Sequence, residues 1–404
     1  MNLNTEVIIA GAGPVGLSAA LTLGRAGVDV VLVTDGPGLS TESRASTFHP
    51  STLEILDELG MANEVVARGL KAPAFQFRDR GTTSDPGGVV AAFDMTELSD
   101  FTKYPYRIQL PQSQYTPLVV AAVRALPNVR LVFEAPVTGV KTFETRVEVR
   151  AGSHTISGQW LIGADGAHSA VRHELGVGFD GMTYEERYLV ASVTNDFAEL
   201  LPGLAHVNYI ADPTEYLVLL NTPVSWRALF PIRPGETDAE AQDPARVERR
   251  LQGVAHVAGG YGVLHTTLYK VHQRVADTYR VGRVLLAGDA AHINNPLGGM
   301  GMNSGVHDAW FFAKTILRMR AGEAESSELD RVAAWRRQIS LDLVKATTHG
   351  NQRRLSATDP AERAEYRAEM AALAADPAGR REYLLRTSLL ASVRQYPSVV
   401  AGDS

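Results

Sequence analysis

The stretch VIIAGAGPVGLSAAL, residues 7–21, restricts the fold more than any other part of the chain. Four residues suited to a buried strand run into Gly11, Gly13 and Gly16, and an Ala- and Leu-rich segment of helical composition follows. In G-x-G-x-x-G between a strand and a helix, small residues permit a tight turn, close approach of a pyrophosphate, and close packing of helix on strand. The helix N-terminus adds roughly half an elementary charge facing that anion. Residues 28–33 read as a second strand, so residues 6–33 predict a βαβ unit, a parallel sheet, and a dinucleotide site at Gly11, Gly13, Pro14, Val15 and Gly16. The motif does not separate FAD from NAD. About 20 residues on, an acidic side chain should bind ribose. There the strand ends VVLVTDG, with Thr34 at the expected place and Asp35 beside it, either to bind ribose or to cap a turn.

Two further strand ends carry the same signature. LIGADGAHSAVR, residues 161–172, runs from an apolar strand through Asp165 into a helix bearing His168 and Arg172. GRVLLAGDAAHINNPLGGMGMN, residues 282–303, ends a strand at Gly288 and Asp289, then passes Pro296, Gly298, Gly299 and Gly301 into a helix starting near Met302 and Asn303. One such aspartate is commonly a helix cap. Three strand ends of this kind predict one extended ligand clasped by both ends of the chain.

Between these segments, residues 51–68 and 114–126 predict helices and 73–93 an irregular excursion around GTTSDPGG. Residues 182–232 alternate as an antiparallel sheet does, 262–279 add another strand, and 323–404 are mainly helical with a break at Asp359-Pro360. A formal net charge of -6 argues against a nucleic-acid partner. The absence of cysteine removes thiolate nucleophiles and Cys-based metal sites and fits a reducing, cytoplasmic setting. No H-E-x-x-H or comparable spacing occurs among the eleven histidines, so no metal is expected. Neither a signal peptide nor a run of ~18 apolar residues is present, so no membrane span is expected.

GxGxxG, GADGAHSAVR and GRVLLAGDAAHINNPLGGMGMNSGVHDA, in that chain order, make the sequence resemble the FAD-dependent aromatic hydroxylases, the flavoprotein monooxygenase group that includes p-hydroxybenzoate hydroxylase. The resemblance covers residues 5 to about 320. It implies an α/β fold: a Rossmann-like FAD-binding domain (1–72, 105–178 and 277–322), an inserted mixed or antiparallel substrate-binding sheet domain (73–104 and 179–276), and a C-terminal helical region (323–404). It further implies that the Gly11–Gly16 turn holds the ADP pyrophosphate, that Asp165 lies near the pyrophosphate and the nicotinamide route, and that Asp289 binds the ribityl hydroxyls. Arg44 is carried over as an FAD-phosphate contact and Gln112 as a flavin-side contact. Gly288, Pro296, Met302 and Asn303 are carried over as cofactor contacts too, with Pro296 also a catalytic candidate, and Gly298, Gly299 and Gly301 let the backbone lie against the flavin, whose reduced form a helix N-terminus stabilises.

Family chemistry would be reduction of FAD by NADH or NADPH, addition of molecular oxygen as a C4a-hydroperoxide, and transfer of one oxygen atom to a small aromatic or heteroaromatic compound. Tyr209 stands where the family has its substrate-activating tyrosine, with a core tyrosine as the alternative. His168 either assists the nicotinamide or is a surface histidine. His265, Thr267 and Tyr269 share one strand face and line either the pocket or a half-exposed sheet. Leu220 and Thr222 replace groups that bind a benzoate carboxylate in the p-hydroxybenzoate enzyme. Alternatives are an FAD-dependent dehydrogenase or reductase of the same fold, or a non-catalytic flavin-binding sensor. Halogenating relatives are disfavoured because W-x-W-x-I-P is missing. A homodimer is left open.

Overall fold

The computed structural model describes residues 1–39, 45–80, 87–212, 214–344, 355, 357 and 359–395. Arg44 lies outside them. At the centre is a six-stranded sheet in the order Arg280–Val281, Val284–Leu286, Trp160–Gly163, Val7–Ala10, Val30–Val33 and Val129–Val132. All neighbours run parallel except the first pair. Val7–Ala10, Val30–Val33 and Trp160–Gly163 are buried along their whole length, because helices cover both faces of a parallel sheet. The predicted helix spans Pro14–Arg25, with Pro14 at its first position, where no amide hydrogen is needed.

A second sheet, of eight strands, runs His292–Ile293, Val263–Ala276, Phe179–Val193, Trp226–Ile232, Leu217–Asn221, Val207–Ala211, Ala74–Asp79 and Gly88–Asp94. One correction falls here. Residues 73–93 are not an irregular excursion: Ala74–Asp79 and Gly88–Asp94 form a hairpin on the sheet edge. Phe75 and Phe77 are buried on one side of the strand, and the Gly- and Pro-rich connection masked that alternation in the sequence. Ala74–Asp79 also pairs parallel to Val207–Ala211, so the sheet is mixed. A smaller correction concerns residues 51–68, which form two helices, Pro50–Glu58 and Ala62–Arg68, broken where Gly60 takes φ +57°.

A three-stranded sheet, Thr47–Phe48, Arg107–Gln109 and Leu70–Ala72, joins the two large ones. A four-stranded sheet of Asn2–Asn4, His154–Gly158, Val147–Ala151 and Val137–Thr142 lies to the side. The long helix Met300–Arg320 packs on Pro14–Arg25, and helices Ser326–Ile339, Pro360–Ala375 and Pro377–Thr387 complete the C-terminal part. Among the described residues no helix is long and apolar enough to cross a membrane.

Candidate active site

Four adjacent strands of the six-stranded sheet deliver their carboxyl ends to one edge, at Ala10, Val33, Gly163 and Leu286. Ligands of open α/β sheets bind outside such ends. The loops are tied together there: the Gly11 amide donates to Val33 O, that of Ala164 to Ala10 O, and that of Ala287 to Gly163 O, at 2.8, 2.8 and 2.9 Å. Gly11 sits at φ +104°, and a Cβ on it would lie 2.2 Å from Ala164 O; on Gly16 it would lie 1.9 Å from Gly11 O. Those two glycines are demanded by packing. Gly13 differs, because a Cβ there would meet nothing within 4 Å. It turns towards open space, where a phosphate can reach the bare N-terminus of Pro14–Arg25, which has neither a side-chain cap nor an acidic residue in its first turn.

The far end of the chain closes on this turn. Gly288, at φ +60°, would place a Cβ 2.8 Å from Val15, and Gly305 would place one 2.7 Å from the same side chain and 2.8 Å from Gly288 Cα. Beneath the turn, Asp308 is wholly buried with Arg336 and His292. Its carboxylate accepts from Arg336 Nε at 2.7 Å, from the Gly288 amide at 3.1 Å and from His292 Nε2 at 2.7 Å. Burial alone would push the Asp308 pKa up, but Arg336 and His292 hold it below the usual carboxylate range. The sequence pattern contains Asp308 without marking its role.

Asp165 is half-buried and accepts from Ser169 Oγ at 2.5 Å and the Val171 amide at 3.0 Å, so its carboxylate caps the short helix Ala170–Glu174 while its backbone borders Gly11. Burial pushes its pKa up in spite of those hydrogen bonds. Asp289 is exposed on the turn Gly288–Ala290. Thr34 is half-buried at its strand end with its amide on Val132 O, and Asp35 beside it is exposed. Gln112 opens the helix Gln112–Arg124, again without a side-chain cap, and its amide donates to Ala45 O at 2.8 Å.

The third glycine cluster forms the roof. Gly298 takes φ +105° and Gly299 φ +66°, conformations that an L residue resists. The Gly299 amide turns back on Pro296 O at 3.1 Å. His49 Nε2 lies 3.0 Å from Gly298 O, and Asn303 Nδ2 donates to Gly299 O at 2.7 Å and Thr47 O at 2.8 Å. With its Oδ1 accepting the His49 amide, the Asn303 side chain is committed to bracing the loop. Gly301 has no side chain and would set a Cβ 3.0 Å from Asn294 Oδ1, while Met302 packs partly into the core. The helix Met300–Arg320 therefore presents a first turn with neither side-chain cap nor carboxylate.

Leu297, in the same loop, is buried in a different cluster with Tyr209, Tyr188, Tyr216, Leu229, Phe75 and Phe93, the inner face of the eight-stranded sheet. Tyr209 stacks on Phe77 with centroids 5.0 Å apart. Leu297 thus shares a buried cluster with Tyr209, whereas Pro296 beside it is exposed. His168 is exposed in the Asp165 loop, beside His272. Tyr269, opposite Tyr188, belongs to the chamber face, whereas His265 is exposed at its end with Ser192. Thr222 turns its hydroxyl to Ser225 O. Sequence reasoning missed His49, Arg107 and Gln109 of the connecting sheet; the period-two pair in YPYRIQLPQ was the available signal.

These residues fit an FAD: bare helix ends for its anionic parts, glycine backbones for its flat ring, and an open face at Gly13. A family pattern described as an FAD binding domain matches residues 4–347. The chain belongs to the FAD-binding monooxygenase family related to the p-hydroxybenzoate hydroxylase-like flavoproteins and is an FAD-dependent aromatic hydroxylase. It is similar to para-nitrophenol 4-monooxygenase of Pseudomonas sp. (strain WBC-3), 34% identical over 365 residues, covering 88% of this chain and 89% of the relative. It is 32% identical to 6-hydroxy-3-succinoylpyridine 3-monooxygenase HspB of Pseudomonas putida (strain DSM 28022 / S16), covering 90% and 92%. The crystal structure of p-nitrophenol 4-monooxygenase PnpA from Pseudomonas putida DLL-E4 superposes with a TM-score of 0.88 at 32% identity, covering 96% of this chain and 98% of that one.

Proposed function

We propose that the protein hydroxylates a small, single-ring phenol or hydroxypyridine, using NADH or NADPH as reductant and molecular oxygen as co-substrate, in the chamber between the glycine loop and the inner face of the eight-stranded sheet. The observation that carries this reading is Leu297: one loop supplies the glycines for the flavin and, one residue earlier, a wall of the aromatic chamber. Tight aromatic packing on the far side, with Phe93 4.7 Å from Tyr383 and 5.2 Å from Phe75, favours a one-ring occupant. So do the small-ring compounds in the names of the two relatives that match along most of their length.

When bound, FAD supplies the redox and oxygen-transfer chemistry. The chain's own groups do the rest. The first turn of Met300–Arg320 would favour negative charge on a group bound against it. Leu297, Tyr209 and the phenylalanines exclude water, and in this reading the Tyr209 hydroxyl would be the group that takes up the substrate's proton. Residues 1–72, 105–178 and 277–322 form the FAD domain in this reading, 73–104 and 179–276 the substrate domain, and 323–404 a helical cover.

Turnover under heavy-isotope oxygen gas tests the proposal. One labelled oxygen atom in the product, with pyridine-nucleotide oxidation stimulated by a phenol or hydroxypyridine, is the expected result. Stimulated oxidation without label in any product would instead mean a dehydrogenase or reductase.

A further inference from the structure

Among the buried polar side-chain atoms without a hydrogen-bond partner in the described residues, three stand together beside the glycine loop. Strand Arg107–Gln109 sets Gln109 opposite Thr47 and Leu70, and Arg107 opposite Ala72. Faces alternate along a strand, so Ile108 joins Phe48 in the core under the FAD site while Arg107 and Gln109 face the other way. Continuing the antiparallel register by one residue brings His49 across from Arg107. This shared face looks onto the roof of the chamber: Thr47 Oγ1 donates to Gln109 Oε1 at 2.9 Å, His49 holds Gly298 O, and a Cβ on Gly299 would meet Thr47 Cβ at 3.0 Å. On its other side, the Arg107 guanidinium lies 4.2 Å from the centroid of Phe75, whose ring is 6.5 Å from that of Tyr209.

Arg107 is 3% exposed, yet it makes no hydrogen bond and no ion pair among the described residues, and its Nε is buried without a partner. Gln109 Nε2 and His49 Nδ1 are in the same condition. A carbonyl only accepts, so His49 carries its proton on Nε2, which donates to Gly298 O, and Nδ1 presents a lone pair. Burial, and then the Arg107 charge, lower the His49 pKa to about 3, keeping the ring neutral. The face thus offers one cation, one amide donor and one acceptor. A buried cation lacking a counter-ion is costly to a fold, and such local violations cluster at functional sites.

We propose that Arg107 is the anion-binding residue of the substrate chamber, pairing with an oxyanion carried on the aromatic ring, a phenolate or a ring carboxylate, with Gln109 Nε2 as the second donor. This rests on the hydroxylase reading and narrows it to substrates bound as anions. Guanidinium presents fixed, directional donors suited to such groups.

The test compares FAD-loaded wild type with Arg107→Met and Arg107→Gln, using 4-nitrophenol, benzoate and neutral nitrobenzene as probes. Binding is read from perturbation of the flavin spectrum and, for 4-nitrophenol, from the visible band of its ionised form. Wild type should bind an anionic probe about 10- to 100-fold more tightly than nitrobenzene, the factor expected for a hydrogen bond to a charged group. The folded neutral variants should lose that preference, and Arg107→Met should melt no lower than wild type, because it removes an unpaired charge. A wild type without anion preference, a folded variant that keeps it, or a loss of fold in both variants would overturn the assignment. Incorporation of label from heavy-isotope oxygen gas, followed in parallel, separates the two claims: Arg107-dependent binding without oxygen insertion removes the hydroxylase reading alone, and oxygen insertion with unaltered probe preference removes Arg107 alone.

Discussion

Three long helices on the nucleotide side begin differently from those at the periphery. Pro14–Arg25, Gln112–Arg124 and Met300–Arg320 start without a side-chain cap and without a carboxylate in the first turn. At the periphery Asp243, Asp359 and Asp376 each accept amides of the helix they precede, Thr237 forms a full capping box, and the uncapped Ser326–Ile339 has Glu328 in its first turn. A cap is worth about 1 kcal/mol, so the nucleotide side forgoes roughly that at each helix end. The contrast is one of where negative charge is supplied: these peripheral helices carry their own, whereas the three central ones have none at their N-termini and suit an anionic ligand. What steadies the centre is buried instead, in the Asp308, Arg336 and His292 group.

The largest expected effect attacks that buried group. Asp308→Ala leaves Arg336 without its counter-charge and should cost about 3–5 kcal/mol, together with loss of FAD, measured by urea unfolding and bound flavin; a loss under 1 kcal/mol would mean that the centre does not depend on it. Next, Gly16→Ala forces a Cβ against Gly11 O and should cost about 1–3 kcal/mol. Gly13→Ala meets no atom and should leave the apoprotein melting temperature unchanged while weakening FAD binding. Equal melting losses in both variants would erase the distinction between packing glycine and ligand glycine.

A pH effect follows from His49. Its folded pKa is about 3 against 6.5 unfolded, so below pH 6.5 the unfolded chain takes up a proton that the folded chain refuses. Stability should therefore fall on acidification, by up to about 1.4 kcal/mol per pH unit from this group, and level off above 6.5. His307, also buried and lowered, acts in the same direction. His49→Gln should flatten the slope between pH 6 and 5 by about one proton's worth in unfolding measured across pH; an unchanged slope would mean the ring is protonated in the fold. The smallest change is at the periphery: Asp243→Ala should lower stability by about 0.5–2 kcal/mol and leave FAD retention untouched.

Much of the nucleotide side was legible because its backbone demands particular residues. Gly11 and Gly16 admit no Cβ, and continuous apolar runs mark Val7–Ala10 and Trp160–Gly163 as strands covered on both faces. The chamber was less legible. Its walls come from short strands whose neighbours are set by pairing across long sequence distances, such as Ala74–Asp79 beside Val207–Ala211. Arg107 carries only a faint local mark, its period-two spacing with Gln109 in YPYRIQLPQ; it is the fold that buries it opposite His49. Tyr209 was visible as a residue type and a position, whereas its stacking on Phe77 depended on a hairpin the sequence concealed.

The carboxylate of Asp308 reaches back to the Gly288 amide and forward to Arg336. During synthesis the Gly11–Gly16 turn leaves the ribosome early, while its counterpart waits for the helix Ser326–Ile339. A chain cut before Ser326–Ile339 would lack Arg336 and leave the Asp308 carboxylate, and with it the Gly288 turn, without that support.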